Sequence, residues 1–486
     1  MTNIIKHIEN QGGILSGQLA EYLVKTHNIE KSAARKRVER LKSPIHKLKG
    51  LFADNQSFIY HSNNYNNQVY FDKLEEAFET SAKRCFAVIV TINYHHGIIL
   101  KLDLPNYTFS PTSKIKGHLL HSTLIEKLKQ ANVLQDYDEK HYCLNGYIAK
   151  TTEPNFRHNK SIQFVKDLVL NQFANWSRNI GLCSFKTGET NKEVGGFQFA
   201  FASPSYINGL VQYKESVPKP GFVVADVLIG NSTTTKEIDF FLQKINAIRA
   251  SNPSLKLFPV LILDGVEVNA MNKLKKTGVL IATIRELFGE SYNELLKNLI
   301  NTITNAGVIL KKDPESYINL MAQLTKLVNG KTNNLRGDLF ELAVGYYYGK
   351  QCQSLDIGKK VRTDNDIKTR EIDVLANYEN EVRVVECKGY NYPVDKDYVE
   401  KYLSDKIPAV RKWLNKVFPN KRQVFEIWST GGFDNDANEM LEKAKNNTKK
   451  YSIDYLDRTH ILERANELQT SKFADILKDY YFKEIV

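Results

Sequence analysis

The spacing of apolar residues changes along the chain and divides it. At the start, Ile4, Ile5 and Ile8 recur at helical spacing, and Gln11-Gly12-Gly13 ends the run. Ser16 stands where an N-cap would open a helix over Gly17 to Thr26, and a third helix is expected from about Lys31 to Leu41. Pro44 follows, and the alternation from Ile45 to His61 predicts a hairpin. Residues 76–150 are less regular, with an apolar stretch from Cys85 to Val90, a helix around Ser122 to Ala131 and a hairpin around Tyr137 to Tyr142. Residues 155–305 read as an α/β unit. An amphipathic helix over Ile162 to Trp176 precedes a buried-type strand at Gly221 to Ile229, a helix at Lys236 to Arg249, a strand at Leu257 to Leu263, a helix, and a short strand at Val279 to Thr283. Residues 306–330 read as a helical connector. From 331 to 486 the pattern predicts a helix at Leu335 to Tyr348 and paired strands near Glu371–Ala376 and Val382–Lys388. A helix at Asp395 to Trp413, a strand at Gln423 to Trp428, a helix at Asp434 to Ala444 and a strand near Tyr451 to Tyr455 follow.

The last two stretches share an order of elements, which suggests an internal repeat. Phe222-Val223-Val224-Ala225-Asp226-Val227 is set against Arg383-Val384-Val385-Glu386-Cys387-Lys388, and Leu257 to Ile262 against Gln423 to Trp428. Identity is poor, and two unrelated α/β domains remain the alternative. Three short helices and a hairpin over 1–75 resemble the winged helix-turn-helix family in topology, with 76–150 as a second module of that kind. The expected architecture is multidomain α/β.

Composition narrows the class. The 486 residues are 42% hydrophobic, enough for packed cores, and carry a formal net charge of +12. A basic protein suits a polyanionic partner, but charge alone does not choose between nucleic acid and an anionic membrane. No apolar run reaches the roughly 18 residues of a membrane span, and Met1-Thr2-Asn3-Ile4-Ile5-Lys6 lacks the pattern of a secretory signal. Cys85, Cys143, Cys183, Cys352 and Cys387 are odd in number and scattered, which points to a reducing cytoplasm rather than a disulfide framework.

The densest chemistry lies in Glu371-Ile372-Asp373-Val374-Leu375-Ala376 and Val384-Val385-Glu386-Cys387-Lys388-Gly389, joined by the polar turn Asn377 to Glu381. Side chains alternate along a strand, so Glu386 and Lys388 share a face, and cross-strand pairing would set Asp373 beside Glu386. Ile372, Val374, Val385 and Cys387 are expected on the opposite face. Glu341 lies one turn past Asp338 on the preceding helix and shares its face. Asp373 and Glu386 offer hard oxygen ligands for Mg²⁺, with Glu341 as a further ligand or a hold on a metal-bound water. Lys388 could orient that water and offset charge on the phosphorane-like transition state.

Glu341 followed by Asp373-x12-Glu386-Cys387-Lys388 is similar to the PD-(D/E)xK nuclease superfamily, and closest in flavour to its Mrr-type and Holliday-junction-resolvase-like branches. The resemblance covers roughly residues 331–455, and no proline precedes Asp373. It implies a restriction-endonuclease-like mixed sheet flanked by helices, with Glu341, Asp373, Glu386 and Lys388 catalytic and the three acids as ligands for Mg²⁺ or Mn²⁺. It further implies a DNA endonuclease, with a setting in restriction or anti-phage defence alongside other defence proteins, and a homodimer among the expected partners. The alternatives are a winged-helix nucleic-acid-binding protein with a non-catalytic nuclease fold, and an RNA nuclease.

In the middle stretch no acid and no lysine fall where the motif needs them, so the repeat reads as a degenerate copy with Asp226 on the face equivalent to Cys387. Lys31, Arg35, Lys36, Arg37, Arg40 and Lys42 give the third helix a cationic face suited to phosphates, though a solvated helix face would look the same. His118, His121, His141 and Cys143 have ligand-like spacing for zinc, but packed or exposed histidines explain them as well. No Gly-x4-Gly-Lys-Ser/Thr loop is present, so ATP hydrolysis is not expected.

Overall fold

The computed structural model describes residues 2–185, 187–327, 336–362, 369–468 and 471–482, so the boundary expected at 331 lies outside the described residues. The chain packs into two units, one of residues 1–159 and 169–287, the other of 160–168 and 288–486. No helix among the described residues is long and apolar enough to cross a membrane.

The first unit opens with α1 (Thr2–Gln11), β1 (Ile14–Leu15), α2 (Ser16–His27), α3 (Lys31–Glu39), β2 (Ile45–Lys49) and β3 (Ser57–His61), the strands forming a sheet in the order β1-β3-β2. Ile8, Leu19, Leu23, Ala34, Val38 and Ile59 close a small core. Ser16 is not the N-cap of α2. It is the first residue of that helix, and its Oγ accepts from Ser57 N–H at 3.1 Å. A second module follows, with α4 (Gln68–Ser81), α5 (Lys83–Tyr94), β4 (Ile98–Leu100), α6 (His121–Gln130), β5 (Leu134–Asp136) and β6 (His141–Leu144). Its sheet runs β4-β6-β5, again with the last hairpin strand in the centre.

The long helix α7 (Glu153–Asn179) leads to β7 (Glu189–Val194) and β8 (Phe197–Ser205), then the short hairpin β9 (Gln212–Lys214) and β10 (Val217–Lys219), and then β11 (Gly221–Thr233). Helix α8 (Asp239–Ser251), β12 (Leu257–Val266), α9 (Val268–Lys275), β13 (Leu280–Thr283) and α10 (Ile284–Phe288) complete the region. Strands β7 and β8 were not expected from the sequence. Phe78, Val88 and Leu128 of the second module share one hydrophobic core with Phe199, Val224 and Leu261 of this sheet, so the stretches that the sequence sets apart pack together.

The second unit contains α11 (Glu290–Thr304), α12 (Ala306–Lys312), α13 (Glu315–Leu327), α14 (Arg336–Gly349), β14 (Ser354–Val361), β15 (Arg370–Asn377) and β16 (Glu381–Lys388). After them come α15 (Lys396–Lys401), a π-helical turn over Tyr402–Lys406, α16 (Ile407–Val417), β17 (Arg422–Ser429), α17 (Asn435–Asn447), β18 (Ser452–Leu456), α18 (Arg458–Glu467) and α19 (Ser471–Ile476). Helix α14 is apolar around most of its circumference, as befits a helix packed on several sides. Gly345 allows that packing, since a Cβ there would meet the Ile357 side chain at 2.5 Å. At its far end Tyr348 donates to the buried Glu426 at 2.5 Å, and Trp428 Nε1 and Arg383 donate to the same carboxylate at 2.8 Å each. This cluster fixes α14, and with it Glu341, against the sheet.

The two five-stranded sheets match in order and direction. One runs β7-β8-β11-β12-β13 and the other β14-β15-β16-β17-β18, each with two antiparallel pairings followed by two parallel ones. Leu257 pairs with Phe222, whereas Gln423 pairs with Val382, so the correct equivalence sets Phe222 against Val382. The strand alignment drawn from the sequence is therefore off by one residue, and a one-residue slip exchanges the faces of a strand. Asp226 corresponds to Glu386, not Cys387, and an acid does occupy the motif position. Ala200 stands where the second sheet has Asp373, and Leu228 where it has Lys388.

Asp226 is sealed. Its Oδ2 accepts from Lys244 of α8 at 2.6 Å and its Oδ1 from Ala200 N–H at 2.8 Å, with both charged side chains fully buried. Lys244 also donates to the Asn106 and Gln198 carbonyls. Removing one partner of such a pair leaves an uncompensated buried charge. Lys244→Met is expected to lower unfolding stability by about 3–5 kcal/mol, with Asp226→Asn/Lys244→Met recovering part of the loss. Denaturant titration of the three proteins checks this, and equal stability of all three would show that the pair contributes nothing.

Candidate active site

The β15–β16 ladder pairs Val374 with Val385 through Asn377 with Val382, and it stops just before Asp373 and Glu386. At that point Asp373 Oδ2 accepts from Cys387 N–H at 2.8 Å, taking up a main-chain donor where the ladder ends. The strands thus part with a carboxylate on each. Beyond that point Ile372 packs with Val361, Val382 and Val384, not on the opposite face where it was expected.

Glu386 is held from several sides. Lys388 Nζ lies 2.9 Å from its Oε1, Tyr398 donates to the same oxygen, and Lys406 pairs with Oε2. Tyr398 sits on α15, and Lys406 ends the π turn that follows. One α turn and one wider π turn separate them, which returns both side chains to the face that looks onto Glu386. Neither residue stands out in the sequence, because what marks them is a contact with Glu386 on another element.

Glu341 accepts from Lys160 at 3.0 Å on both oxygens, and the same ammonium lies 3.3 Å from Asp338 and 3.5 Å from Glu371. Glu371 also pairs with Lys360 at 3.1 Å. Lys160 belongs to the Lys160–Leu168 portion of α7 that packs in the second unit. No sequence pattern links it to a motif nearly two hundred residues away.

These neighbours move the titrations apart. Burial pushes Asp373 up to about 6, and repulsion from Glu386 adds to it. Burial acts the same way on Glu386, yet Lys406 and Lys388 outweigh it and hold that carboxyl down at about 2. Glu371 is likewise held at about 2 against burial by Lys160 and Lys360. Burial raises Glu341, with repulsion from Asp373 and Asp338 adding to it and Lys160 pulling the other way. Lys388 and Lys406 lie above the ordinary lysine range because the carboxylates around them outweigh burial.

By donor chemistry, Asp373 and Glu386 fit a hard divalent cation, since they are buried carboxylates on parted strands whose mutual repulsion a cation would relieve. Among the described residues, however, no three His, Cys, Asp or Glu side chains are grouped so as to hold a metal ion. Glu386 is engaged by Lys388 and Lys406 and Glu341 by Lys160, so a cation would have to displace an ammonium at either acid. The four residues expected from the sequence do gather at one end of β15 and β16. The six cations of the N-terminal set belong to the first unit. Lys31, Arg35, Lys36, Arg37, Arg40 and Lys42 are all exposed, while Ala34 and Val38 carry the packed side of α3. Of the residues considered for zinc, His121 lies 3.2 Å from Thr108 Oγ1, His141 2.8 Å from Asp138 and His118 3.3 Å from Arg84.

No family model matches the chain, and no curated protein matches it. The solved structure of protein VC1899 from Vibrio cholerae is similar over 46% of this chain and 50% of its own, with 12% identity and a TM-score of 0.19. The matched region spans about half of that protein, and the likeness is too slight to carry an argument.

The Asp373 shift has a testable sign. Its native pKa lies above the ordinary 3.8, so the fold favours the protonated form and stability falls as pH rises from about 4 to about 6. Asp373→Asn, neutral throughout, is expected to be more stable than wild type at about pH 8, with the gap closing by about pH 4. Denaturation midpoints in metal-free buffer measure it, and a gap independent of pH would contradict the shift.

Proposed function

We propose that the second unit carries a metal-dependent nuclease of the PD-(D/E)xK type that hydrolyses phosphodiester bonds in DNA. The observation that carries this reading is the gathering of Asp373, Glu386 and Lys388 where the β15–β16 ladder ends, with Glu341 presented from α14. The sheet order, with mixed strands and helices on its flanks, supports it as well.

Asp373 and Glu386 would hold Mg²⁺ or Mn²⁺, which when bound supplies charge that polarises a phosphate and lowers the pKa of water. Lys388, kept protonated by the carboxylates around it, offsets negative charge on the phosphate as the bond to the leaving oxygen breaks. Tyr398 and Lys406 position Glu386 by binding its two oxygens. Lys160 keeps Glu341 paired. The first five-stranded sheet serves as a degenerate copy, with Ala200 and Leu228 in place of the first acid and the lysine and with Asp226 closed off by Lys244. The N-terminal module acts as a winged helix whose exposed α3 cations contribute affinity for the DNA backbone.

Asp373→Ala, Glu386→Ala and Lys388→Ala are each expected to lower Mg²⁺-dependent cleavage at least about 100-fold, with Glu341→Ala milder but clear. One intact site should nick duplex DNA before breaking both strands. The measurement is single-turnover cleavage of duplex, single-stranded and branched DNA and of RNA, with and without chelator. Wild-type rates in any of the three variants, or full activity in chelator, would sink the assignment. Cleavage of RNA alone would move the substrate.

A further inference from the structure

Immediately after Lys388 the chain runs Gly389-Tyr390-Asn391-Tyr392-Pro393, and both tyrosines face solvent, 40% and 63% exposed. Their rings are parallel to within 9°, with centroids 5.0 Å apart. The loop that carries them is pinned. Thr430 donates through Oγ1 to the Tyr390 carbonyl at 2.7 Å and through its N–H to the Lys388 carbonyl at 2.9 Å. Gly431 lies so close under Tyr392 that a Cβ would collide with its main chain, and Val394 N–H donates to the Gly432 carbonyl at 2.9 Å. A Cβ on Gly389 would press on the Arg336 carbonyl at 2.6 Å. Two aromatic rings are thus held rigidly in water beside the site, with Lys388 Nζ 5.9 Å from the Tyr390 ring centre.

We propose that Tyr390 and Tyr392 form a stacking platform for an unpaired nucleobase of the substrate, so that the site prefers single-stranded or unpaired positions in DNA. This rests on the nuclease reading above and adds the form of the substrate. An exposed parallel pair presents a π face of the kind on which bases stack, and stacking is tolerant of sequence. Only a base free of its own helix can cap the pair, and capping brings its phosphate toward Lys388. The tyrosine hydroxyls are not needed for this, and the rings are.

The test measures binding in chelator, so cleavage does not enter. The probes are a short single-stranded oligodeoxynucleotide carrying 2-aminopurine, its fully paired duplex, and the matching oligoribonucleotide. Wild type is expected to quench the single-stranded probe. Tyr390→Leu/Tyr392→Leu should lose the quenching and bind that probe about 10-fold or more weakly, while duplex affinity changes by less than about 2-fold. Tyr390→Phe/Tyr392→Phe should behave as wild type. Unchanged affinity and quenching in the leucine variant, or an equal loss on duplex, would overturn the platform, and an effect confined to the oligoribonucleotide would overturn its assignment to DNA. If wild type fails to cleave any substrate with Mg²⁺ yet shows the tyrosine-dependent binding, the nuclease reading falls and the platform stands. If it cleaves while binding ignores the tyrosines, the platform alone falls.

Discussion

Glu386 is a carboxylate held inside the sheet by Lys388, Lys406 and Tyr398, and these polar groups keep it charged there. An ionised group in that position is costly unless it is paired and hydrogen-bonded. The strand end supplies one lysine two residues on, and the widened helical turn supplies another. With Glu386 fixed as an anion, the facing Asp373 becomes the group that resists ionisation. Two acids of similar intrinsic strength thus titrate apart, burial and the Glu386 charge raising Asp373 while Lys406 and Lys388 hold Glu386 down.

The first five-stranded sheet has part of that arrangement at the equivalent place. A helix lysine still binds the acid of the central strand, and that acid or its neighbour still takes up the main-chain donor where the ladder ends. In the second sheet Asp373 accepts from Cys387, and in the first Asp226 accepts from Ala200. The strand-to-helix ion pair is common to both sheets, while the first acid and the strand lysine occur only in the second. The shared pair sits in both sheets at the point where two strands separate, whichever other polar residues stand beside it.

Much of this was legible in the chain. The Glu341, Asp373, Glu386 and Lys388 set could be read because strand alternation and helical period are local rules. Strand β14 escaped because Gly358, with φ at +66°, interrupts the alternation of Leu355 and Ile357. Strand β7 is polar and lies at a sheet edge, so it carries no apolar signal. Its hairpin did leave one, since Gly195-Gly196 has positive φ at both positions between Val194 and Phe197, the pattern of a tight two-residue turn. The misplaced face of Asp226 came from a register one residue out, which only the neighbouring strand can correct. Lys160, Tyr398 and Lys406 were beyond reach because only tertiary packing brings them to their carboxylates.

Helix α7 bears on how this protein can change over evolutionary time. Its central Lys160–Leu168 segment packs with residues 288–486, whereas the residues on either side of that segment in the sequence belong with the first unit. The unit that holds Glu341 is thus not a contiguous piece of gene. A recombination event that transplanted only the C-terminal third would carry Glu341, Asp338 and Glu371 away from the one ammonium that reaches all three, with Lys360 still beside Glu371. Such a transplant would have to find a replacement cation in its new host. The interleaving ties the inheritance of the second unit to that of the first, even though the first sheet lacks the counterparts of Asp373 and Lys388.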